Sequence, residues 1–170
     1  PYYLDNIVPT LAKITGYPLT QADDLFDATE NLDSFVRFSS CLKACAVNLS
    51  KMCNDLRILA SGPKAGFGEI TLPAMQNGSS IMPGKVNPVI PEVVSQVAFH
   101  IIGHDTTITM AAEAGQMELN AFEPVIFYNL FDSIATLTHA VSTLTENCIL
   151  GITANEERCH ELLDLSLIHI

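Results

Sequence analysis

The chain is short of positive charge. Its 170 residues carry 8 lysines and arginines against 19 aspartates and glutamates, a formal net charge of −11. A phosphate backbone is held by clustered Lys and Arg, so this composition argues against a nucleic-acid partner. No apolar run reaches the roughly 18 residues of a membrane-spanning segment, and no signal-peptide pattern is present. The expectation is a soluble, cytoplasmic protein with no membrane partner. No C-x-x-C pair occurs among Cys41, Cys45, Cys53, Cys148 and Cys159. They are expected to be structural thiols in a reducing compartment, not metal or redox groups. No stretch reads as a convincing strand, and no segment repeats. The chain opens on Pro1, not Met, which suggests a fragment or a trimmed chain.

What is abundant is helical periodicity. Leu4, Ile7, Val8, Leu11 and Ile14 recur at helical spacing, with Gly16 and Pro18 closing the segment and Pro9 inside it as a kink or a fresh start. Residues 17–33 read as turn or short helix. From Phe35 through Phe38, Leu42, Cys45, Leu49, Met52, Leu56 and Leu59, apolar residues alternate three and four apart, the mark of a long helix with one buried seam. Gly62-Pro63 should stop it, Gly62 supplying a left-handed cap. Helix returns near Val89, with Pro91 tolerated in its first turn and Val94, Val97, Ile101 and Ile108 on one face. Another long helix begins near Pro124; its seam runs Phe127, Leu130, Ile134, Leu137, Val141, Leu144 and Cys148, and Gly151 closes it. Thr153-Ala154-Asn155-Glu156 has the form of a capping box that starts a further helix. The pattern predicts an all-α bundle of long helices. Its seams are more than this chain can bury alone, so partner helices are expected to cover them.

Residues 62–88 break the pattern. They hold five of the nine glycines and four of the nine prolines. Loops this long inside a compact domain are uncommon and are usually functional or disordered. Between residues 58 and 157 the only basic residues are Lys64 and Lys85, both in this loop, against ten acidic ones. Lys85 is therefore a candidate anion ligand; the plainer alternative is a solvated surface lysine. Pro88 favours an extended Asn87, which would point Asn87 and Lys85 the same way, a cation and an amide suited to a carboxylate. Gly84 lets backbone N–H groups come close to a ligand, and Gly78 is a candidate hinge, or simply a turn. Ser79 and Ser80 are hydroxyls beside this site, although paired loop serines usually form turns. These residues by themselves support carboxylate binding and leave catalysis open.

Gly78 to Asn87 reads Gly-Ser-Ser-Ile-Met-Pro-Gly-Lys-Val-Asn. It resembles the signature G-S-S-x-x-P-x-K-x-N of the aspartase/fumarase superfamily and matches it at every fixed position. The resemblance runs from about Ile7 to about Ser166. It implies the superfamily's long-helix bundle, part of the central helical core of a homotetramer. It implies composite active sites drawn from three regions on three subunits, of which this chain carries the third. By position, Ser79 resembles the general base, Lys85 and Asn87 the carboxylate ligands, and Ser80 a supporting hydroxyl. Glu92 resembles the carboxylate that partners a histidine absent from this chain; helix N-terminal charge is its alternative reading. Residues 1–150 are expected to belong to the bundle and 151–170 to open a small C-terminal helical domain.

Within the superfamily, Val89-Ile90-Pro91-Glu92-Val93-Val94 and Ala111-Ala112-Glu113-Ala114-Gly115-Gln116 resemble aspartases more than fumarases. The implied reaction is reversible deamination of L-aspartate to fumarate and ammonia by serine-based anti elimination, with a small dicarboxylate as ligand and no cofactor or metal. The alternatives are a class II fumarase and a non-catalytic structural relative. His104 departs from the aspartase pattern, which has Asn there. It forms an i, i+4 pair with His100, read as ordinary helix residues because two histidines lack further ligands. Residues 167–170 do not continue the family pattern.

Overall fold

The computed structural model describes residues 2–78, 81–82 and 84–165. Its elements are α1 (Tyr2–Thr15), α2 (Leu25–Glu30), α3 (Asp33–Leu59), β1 (Ile70–Thr71), α4 (Val89–Glu113), α5 (Glu123–Asn147), a 3₁₀ turn (Ile149–Gly151), β2 (Thr153–Ala154) and α6 (Glu156–Asp164). The mostly helical architecture is the one that the periodicities predict.

Local chemistry sets several helix ends. Gly16 stops α1 at φ +74°, its N–H bonded to the Ala12 carbonyl at 2.9 Å. Pro9 sits inside α1 and does not start a new helix. Asp24 caps α2, its Oδ1 accepting from the N–H groups of Phe26 and Asp27 at 2.9 and 3.1 Å. The left-handed cap expected at Gly62 is not formed. α3 ends at Leu59 with Ala60 at φ −84° and ψ 0°. Ser61 closes this end instead: its hydroxyl donates to the Ile58 carbonyl and accepts from the Phe67 N–H.

α4 is the central helix, packed along its length against α3 on one side and α5 on the other, while α3 and α5 touch only lightly. Three apolar layers stack between them. Leu32, Ile108, Ala111, Ile126 and Leu130 form one end. Ala46, Ala98, Ile101 and Leu137 form the middle. Cys53, Val94, Ala140, Leu144 and Cys148 form the end nearest the signature loop. A polar tie crosses the first helix pair: Asp105 of α4, buried, accepts from Ser39 Oγ at 2.8 Å and pairs with Lys43, both on α3.

The seams do not bury as one unit. In α3 the fully buried residues are Ser39, Ala46, Ser50 and Cys53, one step round from the large seam positions, and Phe38 and Met52 stay exposed. Small side chains let α4 approach closely, while Phe35, Leu42, Leu49 and Leu56 pack half-buried beside them. In α5, Leu130, Leu137 and Leu144 are buried against α4, whereas Ile134 and Val141 lie at the surface. A three-four seam has two sides, and this chain covers one of them. An open apolar groove remains between α3 and α5, lined by Phe38, Leu42, Cys45, Ile134, Leu137 and Val141.

One small sheet lies outside the expectation of helices alone. β1 and β2 pair antiparallel, Ile70 with Ala154 and Thr71 with Thr153. Two residues per strand are too few to show a period of two. The pairing also undoes the capping box: Thr153 lies in β2, and α6 starts without a side-chain cap. Asn155 serves the clasp instead. Its N–H donates to the Glu69 carbonyl at 2.8 Å, its Nδ2 to the Gly68 carbonyl at 2.7 Å, and its Oδ1 accepts from Thr71 Oγ1 at 2.9 Å. Arg158 of α6 adds a bond from Nε to the Phe67 carbonyl at 2.9 Å.

Candidate functional site

The loop that follows β1 doubles back on itself. A Cβ placed on Gly78 would meet the Lys85 carbonyl oxygen at 3.5 Å, so the two arms of the loop run close together. The Lys85 N–H bonds to the Met82 carbonyl at 3.1 Å, closing a four-residue turn. Gly84 is the third residue of that turn, at φ +79°, a region that a side chain would strain. A Cβ there would meet nothing, so glycine is required for its backbone and not for space. Pro88, at φ −77° and ψ 63°, forms an inverse γ-turn in which the Val89 N–H reaches the Asn87 carbonyl at 2.9 Å. That turn delivers the chain into α4.

These turns set the positions of three expected site residues. Lys85 is exposed, Asn87 half-buried, and Glu92 half-buried in the first turn of α4. Lys85 makes no ion pair among the described residues. It stands just before a helix N-terminus, whose free N–H groups and dipole add positive potential to its own charge. Glu92 suits that same helix end, and its Oε1 lies 3.8 Å from Nη2 of Arg57 in the last turn of α3. Both side chains remain partly open to solvent, so the pair contributes orientation more than stability. Arg57 was not among the expected residues; the only signal in the sequence was a basic residue in a helix's last turn. Ser79 and Ser80 lie outside the described residues.

Further along α4, the His100–His104 pair has a third member that the sequence reading missed. Asp132 of α5 brings Oδ2 to 3.2 Å from His100 Nε2 and 3.8 Å from His104 Nδ1. The premise that the pair lacks further ligands does not hold, because Asp132 is remote in sequence and only α4–α5 packing brings it near. Burial, and then the neighbouring His100, lower the His104 pKa, against the opposing pull of Asp132. At the loop end of the bundle, burial pushes the Cys53 thiol up to about 11 and raises Cys148 as well. These two are apolar packing groups, as expected.

A loop rich in glycine and proline, carrying Lys85, runs into the N-terminus of α4 at one end of a bundle of long helices. Residues 1–103 match the family model described as lyase, and the chain belongs to that family. It is 56% identical to an aspartate ammonia-lyase from a Bacillus species, over 98% of this chain and 36% of that protein. Its fold matches that of a fumarate lyase:delta crystallin from Brucella melitensis with a TM-score of 0.88 and 53% identity, covering 94% of this chain and 37% of that one. It matches a class II fumarase from Schistosoma mansoni with a TM-score of 0.84 and 32% identity, covering 92% and 36%. The chain thus spans about a third of the length of these relatives.

Proposed function

We propose that this chain carries part of the active site of an aspartate ammonia-lyase, which converts L-aspartate reversibly to fumarate and ammonia. One observation carries the reading: 56% identity to an aspartate ammonia-lyase across nearly the whole chain, against 32% to a class II fumarase of the same fold. In this reading Ser79 is the general base. It removes the proton from the carbon beside one carboxylate, and the electron pair spreads onto that carboxylate as a dianionic aci-carboxylate. The pair then forms the carbon–carbon double bond as the carbon–nitrogen bond breaks and ammonia leaves from the opposite face.

The developing dianion needs donors fixed in advance where charge accumulates. Lys85, the loop N–H groups and Asn87 are in the right segment to supply them, with Ser80 as a supporting hydroxyl. Nearby positive charge would also favour an ionised Ser79. Glu92 takes the role of carboxylate partner to a histidine from another region. Closure of the loop over the substrate would exclude water from the reacting carbons. Apolar surface along α3 and α5 supports a homotetramer with composite sites, in a cytoplasmic protein whose bundle, residues 1–150, is followed from 151 by a smaller helical domain. The test is fumarate formation by the full-length protein, assayed with aspartate and separately with malate. Activity with aspartate supports the proposal. Activity confined to malate makes the protein a fumarase, and activity with neither makes it a structural relative.

A further inference from the structure

We propose that His100, His104 and Asp132 bind one divalent transition-metal ion of the zinc, cobalt or nickel kind, clipping α4 to α5. The proposal stands apart from the lyase reading. One ligand atom from each of the three side chains can be chosen so that all lie within 4.8 Å of one another. Metal–ligand bonds of about 2.0–2.2 Å in a tetrahedron place ligand atoms roughly 3.3–3.5 Å apart. The observed 3.2 and 3.8 Å from Asp132 Oδ2 to the two imidazole nitrogens bracket that spacing.

The two rings are one helical turn apart, with centroids at 3.9 Å. Two imidazolium ions at this distance would repel. With the rings neutral, an ion would take the place of the proton in the 3.2 Å contact between His100 Nε2 and Asp132 Oδ2. His104 is the anchored ligand. Its side chain is 11% exposed, and its Nδ1, the nitrogen that faces Asp132, shares a 3.0 Å hydrogen bond with Ser133 Oγ that the ion would displace. His100 is the adaptable one, its side chain 57% exposed and free to adjust. Asp132, half-buried, supplies the negative charge. Two imidazoles and one carboxylate suit zinc, cobalt(II) or nickel over calcium or magnesium, which prefer all-oxygen shells. Three protein ligands leave a fourth position for water on the exposed side. The net charge of −11 adds a general attraction for cations. His100 lies eight residues beyond Glu92, about 12 Å along the helix. The ion would thus brace α4 without touching the signature loop.

The test uses the full-length protein with any polyhistidine tag cleaved and metals stripped by a chelator. Cobalt(II) is titrated in while the visible absorption of tetrahedral cobalt is followed. One ion per chain is expected, and His100→Asn and Asp132→Asn should each weaken binding by tenfold or more. His139→Asn and His160→Asn should bind as the parent does. His100 is exposed, so its variant tests the ligand without disturbing the core; circular dichroism checks the fold. Zinc should raise the melting temperature of the parent and leave that of His100→Asn unmoved. A parent that takes up no cobalt, or a folded His100→Asn that binds as tightly, overturns the proposal.

Discussion

The buried pair between Lys43 and Asp105 can be probed by removing either end, and the two removals are not equivalent. Asp105 is 4% exposed and accepts from Ser39, itself 3% exposed. Lys43 is half-buried, with its ammonium reaching inward to the carboxylate. Lys43→Met leaves a buried carboxylate held only by hydroxyls. Unpaired buried charges cost about 3–5 kcal/mol, and the serine donors should bring this to roughly 2–4 kcal/mol. Asp105→Asn keeps the volume and an acceptor for Ser39, while Lys43 swings back to water. It should cost about 1–2 kcal/mol, close to the net worth of a charge-assisted bond. The double variant removes the stranded charge and should be more stable than Lys43→Met alone, with a coupling of about 1–3 kcal/mol. The measurement is urea unfolding of the full-length protein at one fixed protein concentration, since assembly makes midpoints concentration-dependent. If Lys43→Met proves no worse than Asp105→Asn, or if the single effects simply add, the carboxylate is not stranded and the reasoning fails.

Other expectations concern the loop, the thiols and the uncovered faces. In the full-length protein, Ser79→Ala should reduce kcat by several orders of magnitude with KM for aspartate little changed. Lys85→Ala should damage both terms, Asn87→Ala should mainly weaken affinity, and Ser80→Ala should be mildest; steady-state kinetics decide, and a large kcat loss confined to Ser80→Ala would move the base there. Cys53 and Cys148 should resist iodoacetamide in the native state and react once urea unfolds the protein, read by mass spectrometry. Their burial and raised pKa leave little thiolate near neutral pH, and the fraction rises only as pH climbs toward the pKa, about 11 for Cys53. The isolated 170-residue chain should associate or bind a hydrophobic dye through the groove between α3 and α5. A cooperatively melting monomer in the ultracentrifuge would contradict that.

Helix existence was legible because long seams repeat many times, and Leu130, Leu137 and Leu144 of α5 behave as their spacing says. What periodicity left out is direction. It could not tell that Phe38 and Met52 face outward while Ser39 and Ala46 carry the contact with α4, because small residues register weakly as hydrophobic yet pack most closely. The loop was legible from glycine, proline and isolated Lys85, and Gly84 takes the left-handed turn that only its lack of a side chain makes easy. Arg57 beside Glu92 and Asp132 beside the two histidines were not legible. Each meets its partner across helices through packing, and no local spacing encodes that. The failed capping box at Thr153 has the same origin: Asn155 is claimed by backbone groups more than eighty residues earlier.

The clasp of β1 and β2 has a practical consequence for dividing the protein. A cut at Gly151 looks natural, because the 3₁₀ turn that closes the last long helix ends there. It would strip away β2, Asn155 and Arg158, which together hold the carbonyls of residues 66–69 and the strand that leads into the signature loop. The leading arm of the loop would then hang from Ser61, while its trailing arm stayed fixed to α4. A truncated bundle could keep every long helix and still lose the geometry of its signature loop, and a boundary placed after Asp164 avoids this.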